Sequence, residues 1–248
     1  MKLITKIICL FCLLGALVAC DPKEEQAHRS LIMATSSDYP PFEFQQNGEI
    51  VGFDIDIARA IADQMGVKLT ILDQEFPGLI PALNSGRVDF VISAMGRSPE
   101  REKVVDFSDA YHIGRAALLT RKSSNIKGFA DMAGKTFGVQ LGTVWEKFIQ
   151  DNGKKTNFKV LTSNLVPQLI EELKIGRIDA TVMEAYQVAS FVDQNPELTM
   201  EVLDEVDSAY VVMLKKHSPL TPEFNQAIAK LKQEGTLDKI AHLWFKPK

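Results

Sequence analysis

Two seventeen-residue stretches, "LIPALNSGRVDFVISAM" (79–95) and "LIEELKIGRIDATVMEA" (169–185), align without a gap at an offset of 90. Leu, Ile, Leu, Gly, Arg, a β-branched residue and Asp coincide between them. Each copy reads the same way. Apolar residues at helical spacing run up to a glycine, Gly86 or Gly176, that stops the helix, and a short apolar strand follows. A chain that repeats helix, stop and strand is constrained to an α/β architecture of two similar lobes. Ligands of open α/β sheets sit beyond the carboxyl ends of the strands, here Ser93–Ala94 in one copy and Glu184 in the other.

The rest of the chain extends this alternation. Residues 31–34 read as a strand, and Pro40 and Pro41 in "YPPFEF" forbid helix and hold the chain extended. Asn47-Gly48 signals a hairpin. Asp54 is read as the N-cap of a helix with Ile57, Ile61 and Met65 on one face, closed by Gly66. Strands are expected over 67–72, 89–93, 134–139 and 210–214. Helices are expected over 77–85, from Gly142-Thr143 through Trp145 and Phe148, and once or twice within 221–245. Strands alternating with helices imply mostly parallel sheets covered on both faces.

The first twenty residues stand apart. Lys2 and Lys6 precede a charge-free apolar run, 7–18, too short for a spanning helix of roughly 20 residues. It ends in Leu17-Val18-Ala19-Cys20, which resembles a bacterial lipobox and implies acylation of Cys20 after removal of a signal peptide, 1–19. Residues 20–30 then form a lipid-anchored tether. Asp21 resembles the residue that retains lipoproteins on the inner membrane of Gram-negative bacteria. The expected location is therefore the periplasmic side of that membrane, or the outer face of the cell membrane in a Gram-positive source. Removing 1–19 takes away two lysines and shifts the net charge from −4 to −6. No basic stripe is present, so nucleic acid is not an expected partner. No cysteine follows Cys20. The mature domain therefore has neither an internal disulfide nor a thiolate metal site, and it relies on its core.

In "SAMGRSPERE" (93–102) an apolar strand ends in small residues and then offers Arg101. From the residues alone, Arg101 is either a solvated helix residue or a clamp for an anion at the strand's end. Near Thr143 a helix N-terminus presents free N–H groups that also favour an anion.

Seven motifs in order, "YPPFEF", "VGFDIDIARAIADQMG", "FPGLIPALNSGRVDFVISAM", "SPEREKVVDFSDAYH", "GKTFGVQLGTVWEKF", "GRIDATVMEAYQV" and "EGTLDKIAHLWF", cover nearly all of 31–246. Together they resemble the periplasmic solute-binding proteins of polar amino-acid ABC importers, family 3. The resemblance implies a type II two-lobe α/β fold in which two hinge strands join the lobes and each lobe is a mostly parallel sheet flanked by helices. Lobe 1 would be 31–112 plus 211–248, and lobe 2 would be 113–210. It also implies capture of one free polar L-amino acid in the interlobe cleft and delivery to the membrane subunits of an ABC permease, by a monomer without cofactor or metal.

The resemblance assigns roles residue by residue. Arg101 matches the arginine that grips the ligand's α-carboxylate, where a guanidinium fork makes two parallel bonds that lysine cannot. Glu184 stands where the family usually has aspartate and would take the α-ammonium; the alternative is that it opens the next helix as a capping acid. Tyr39 and Phe76 match the aromatic walls around the ligand side chain. Ser93 and Ala94 match strand-end contacts to the ammonium and side chain. Thr143 matches the residue opening a lobe-2 helix toward the carboxylate, with Gln140 and Val144 beside the pocket. Gly96 departs from the family's Ser or Thr: the hydroxyl is lost and only the backbone N–H remains as a donor. Arg97, next to it, is directed either to solvent or into the pocket. Ser36 replaces the aspartate of some basic-amino-acid binders and argues against arginine or lysine, whereas the Tyr39–Phe76 pair suits a guanidinium.

Two other functions fit a fold of this kind: a cyclohexadienyl-dehydratase-like enzyme and an amino-acid sensor module. The histidines His28, His112, His217 and His242 are scattered, without the spacing of a metal site or a triad, and only His112 is placed for acid–base work. Binding without catalysis is the expectation.

Overall fold

The computed structural model describes residues 29–245. The expected signal peptide, Cys20 and all but the end of the tether lie outside the described residues, as do 246–248. Strand β1 (Ser30–Thr35) leads to a small antiparallel sheet of β2 (Asp38–Tyr39), β3 (Glu43–Gln46) and β4 (Glu49–Val51). Asn47 and Gly48 make the turn between β3 and β4 at φ 52° and 84°, as the Asn-Gly pair predicts.

Helix α1 (Phe53–Met65) begins at Gly52 rather than at Asp54. A Cβ on Gly52 would lie 2.1 Å from the Phe42 carbonyl oxygen, so only glycine fits where the helix leaves the sheet. Asp54 is thereby drawn into the first turn and fully buried; it is not the cap that its residue type suggests. β5 (Lys68–Asp73) follows, then a 3₁₀ turn (Phe76–Gly78), α2 (Leu79–Asn84), the two-residue β6 (Phe90–Val91) and the short α3 (Pro99–Glu102).

The strand β7 (Val105–Arg121) leads to β8 (Thr136–Gln140), α4 (Val144–Thr156), β9 (Lys159–Ser163), α5 (Val166–Lys174), β10 (Ala180–Glu184) and α6 (Ala185–Gln194). The long β11 (Leu198–Lys215) returns, and α7 (Thr221–Gln233) and α8 (Thr236–Trp244) complete the described chain.

These strands form one eight-stranded sheet, ordered β5-β1-β6-β11-β7-β10-β8-β9. β7 and β11 pair antiparallel along its middle. β1, β5 and β6 run parallel on one flank, and β8, β9 and β10 run parallel on the other. The mixed α/β sheet with helices on its faces agrees with the two-lobe type II architecture.

The ninety-residue echo is structural. Asp89 and Asp179 do the same work in the two flanks. The Asp89 carboxylate accepts the Ile32 N–H at 2.7 Å while its own N–H donates to Ile32 O at 2.8 Å. Asp179 exchanges the same pair of bonds with Thr136, at 2.9 and 2.8 Å. Each aspartate pins the strand next to its own, which explains why both copies need the same residue after the helix stop. Separate apolar clusters back the two flanks, Leu79, Leu83 and Val91 on one and Phe137, Ile149 and Val182 on the other.

Candidate functional site

The loops at the carboxyl ends of β1 and β6 face those at the ends of β8 and β10, and a cavity lies between them. From the first flank come Asp38, Tyr39, Phe76, Ser93, Ala94, Gly96 and Arg101; from the second come Gln140, Thr143, Val144 and Trp145. All the residues named from sequence for this pocket line it except Glu184, and Asp38 and Trp145 are additions.

Arg101 is the cationic group of the wall and is only 7% exposed. Helix α3 sets it in place: Pro99 fixes the first turn, and the Ser98 hydroxyl caps it by accepting the Arg101 N–H at 3.2 Å. The guanidinium donates to Gly96 O at 2.5 Å and, across the cleft, to Gly142 O at 2.8 Å. It also lies over the Phe76 ring, 5.8 Å from the centroid. Burial pulls its pKa down to about 10, which leaves it cationic at neutral pH. Arg97 points elsewhere. It donates to Ser108 O and lies over Phe107, 5.4 Å from that ring's centroid, so it does not line the cavity.

The hydroxyls of the wall are engaged by the protein. Ser93 Oγ accepts the Ser36 N–H at 3.1 Å and donates to Glu43 at 2.8 Å. Thr143 Oγ1 caps α4 by accepting the Glu146 N–H at 3.1 Å and donates to Gln140 O at 2.7 Å. Both side chains therefore shape the site more than they offer free donors to it. Ala94 stands at φ 44°, in the left-handed region that a non-glycine residue seldom occupies.

Glu184 is fully buried but turned away from the cavity. Its Oε2 caps α6, accepting from Tyr186 N at 2.6 Å and Gln187 N at 3.2 Å. With one methylene more than aspartate, the side chain folds back onto the helix that it opens. Burial raises its pKa to about 8. Its backbone N–H does reach the pocket wall, donating to the Tyr39 hydroxyl at 3.2 Å. His112 is partly buried, and burial lowers its pKa to about 4, so it is neutral at physiological pH and holds no imidazolium proton to donate as a general acid.

Asp38 was not legible as a site residue. It links the flanks: Oδ2 accepts the Val166 N–H at 2.9 Å, with Gln140 Nε2 at 3.4 Å, while Oδ1 accepts the Ser36 hydroxyl. Asn164 donates to Glu75 at 3.0 Å at the same mouth. These bonds, with Arg101 to Gly142 and Glu184 to Tyr39, hold the two rims together. The space left to the centres of water molecules is about 20 Å³, near the minimum for one water.

Residues 31–247 match the model of the bacterial extracellular solute-binding proteins, family 3. The chain belongs to this family. Its relatives include the arginine-binding extracellular protein ArtP of Bacillus subtilis, 35% identical over 94% of this chain and 94% of that protein. ABC transporter arginine-binding protein 1 of Escherichia coli is 34% identical over 94% of this chain and 97% of its own length. Among solved structures, an ancestral arginine-binding protein bound to arginine is 37% identical, with a TM-score of 0.83 over 88% of this chain and 99% of that one. Family-3 proteins are extracytoplasmic binding proteins of transporters. Solute capture, not catalysis, is accordingly the activity of this chain, and the cavity between the flanks is its candidate solute site.

Proposed function

We propose that this family-3 protein captures L-arginine, or a closely similar basic amino acid, between two hinged lobes and hands it to an ABC permease. One observation carries the reading: a buried, cationic Arg101 shares a cavity with two aromatic walls and one acid, Asp38. Arg101 supplies the fork for the α-carboxylate. Phe76 and Tyr39 supply flat apolar faces for a guanidinium. Asp38, joined at the rim by Asp73 and Glu75, adds the negative potential that favours a cationic side chain. The relatives named as arginine-binding support the same choice.

The lobes divide at 31–112 plus 211–248 and at 113–210, with β7 and β11 as the hinge. An amino acid is larger than the space now open, so admission requires the rims to part. The ligand then bridges them, and that extra contact in the closed form shifts the population toward closure. Gly96 contributes its backbone N–H to the carboxylate, with Thr143, Gln140 and Val144 closing the far wall and Ser93 and Ala94 the near one. Glu184 acts on the ammonium only after leaving its capping position. Acylated Cys20 tethers the monomer beside its permease.

Thermal-shift screening of the purified protein against the twenty L-amino acids tests this, because a ligand that binds only the native state raises Tm. L-arginine should give the largest rise, and Arg101→Ala should abolish it while leaving the ligand-free Tm within a few degrees. An unchanged rise in the variant would remove Arg101 from the site.

A further inference from the structure

Behind the cavity wall lie two carboxyl groups that the binding reading does not use. Glu43, on β3, is 1% exposed and Asp54, on α1, is 0% exposed. They meet side chain to side chain. Glu43 Oε1 accepts the Ser93 hydroxyl at 2.8 Å. Asp54 Oδ2 accepts the Ala94 N–H at 2.5 Å and the Tyr111 hydroxyl, from β7, at 2.9 Å. The remaining oxygens, Glu43 Oε2 and Asp54 Oδ1, face no other donor among the described residues. Two bare carboxylates cannot sit together in a dry interior, and one proton held between them removes the conflict.

We propose that Glu43 and Asp54 form a single proton-sharing acid pair that positions both loops walling the cavity, 36–39 and 93–96. The hydrogen bonds define how it acts. Ser93 Oγ relays Glu43 to the Ser36 N–H, which begins the loop carrying Asp38 and Tyr39. Asp54 fixes the N–H of Ala94, whose left-handed φ of 44° persists only where neighbours enforce it. Tyr111 ties the same carboxylate to a hinge strand. Neither acid lines the cavity; both act on ligand binding through the residues that do.

Burial and mutual repulsion raise the Glu43 pKa well above the usual carboxylate range, and burial raises that of Asp54 to about 7. The titratable groups that feel the pair are Asp38 from β2, whose pKa burial raises from the ordinary carboxylate value and whose charge repels Glu43, and Tyr39 beside it, Tyr111 from β7 and Tyr210 from β11, which burial keeps neutral. Burial of both acids and the repulsion between them favour keeping the shared proton on the pair.

The role in binding rests on the function proposed above, so the test has one arm that needs no ligand. Glu43→Gln keeps an acceptor for Ser93 and supplies a fixed donor to Asp54; Glu43→Ala removes both. The infrared carbonyl band of a protonated carboxylic acid at pH 7 should weaken in Glu43→Gln relative to the wild type. Titration with L-arginine should show Glu43→Gln binding within about threefold of wild type and Glu43→Ala about tenfold or more weaker, as expected for a lost buried hydrogen bond. An unchanged infrared band would overturn the shared proton, whatever the ligand proves to be. Equal loss of binding in folded Glu43→Gln and Glu43→Ala, or no loss in either, would overturn positioning by the pair. Should wild type ignore L-arginine, the ligand assignment fails and the infrared arm still decides the shared proton.

Discussion

Gly96 shows how one residue departs from a pattern without leaving a hole. A Cβ built there would lie 2.3 Å from Ser208 Oγ, with both Val144 methyls at 3.5 Å. The hydroxyl of Ser208, from β11, therefore occupies the room that a side chain at position 96 would need. Gly96→Ala should destabilise the protein by about 1 kcal/mol, the cost of forcing a buried serine off its rotamer. Ser208→Gly in the same chain should recover most of that loss. Urea denaturation of the two single variants and the double variant measures the coupling, and additive effects would exclude the contact. At this scale residue type alone left Arg101 open between a solvated helix position and an anion clamp, and the order of the family's motifs singled it out together with Tyr39 and Phe76. The sequence was illegible for carboxylates. Glu184, Asp54 and Asp38 each stand at a strand end or helix start, and only three-dimensional packing decides whether such an acid caps a helix, clamps a loop or faces a ligand.

Among the elements, α3 is the shortest helix described and the one on which the site depends. Four residues cannot hold a helix by propensity, since nucleation fixes more dihedrals than it gains bonds. Pro99 and the Ser98 cap supply what propensity lacks, and Arg101 takes its aim from that turn. Ser98→Ala should cost about 1 kcal/mol of stability and weaken L-arginine binding by about tenfold at most. Calorimetric titration reads the affinity; a variant with the stability loss and unchanged affinity would show that the turn does not aim Arg101. The helix-and-strand units around it were readable because their apolar periodicity and glycine stops are local. β7 and β11 were not readable as single strands of 17 and 18 residues. Strands usually run 3–10 residues, and these two change surroundings along their length, so no one periodicity describes them.

For the molecule as a whole, the buried acids set how stability depends on pH. The folded pKa values of Glu43, Asp54 and Glu184 are raised by burial, to about 7 for Asp54 and about 8 for Glu184. An acid of this kind stays protonated in the folded state while the unfolded chain ionises. The stability it contributes is fully present below its unfolded pKa and is lost as pH rises through its folded pKa. His112 works the other way. With a folded pKa lowered to about 4, it stays neutral while the unfolded chain takes up a proton, so between about pH 4 and 6.5 it makes stability rise with pH. Above pH 6.5 that opposition ends and the acids act alone. Without ligand, Tm should therefore fall from pH 6.5 to 8, by about 3–6 °C per pH unit for each acid still titrating. Glu184→Gln can still accept the Tyr186 N–H and cannot ionise, so it should raise Tm at pH 8 more than at pH 5 and flatten the decline. Scanning calorimetry across that range decides the matter: a Tm in wild type that holds level or climbs from pH 6.5 to 8 would mean that these carboxyls ionise in the folded protein as readily as in the unfolded chain.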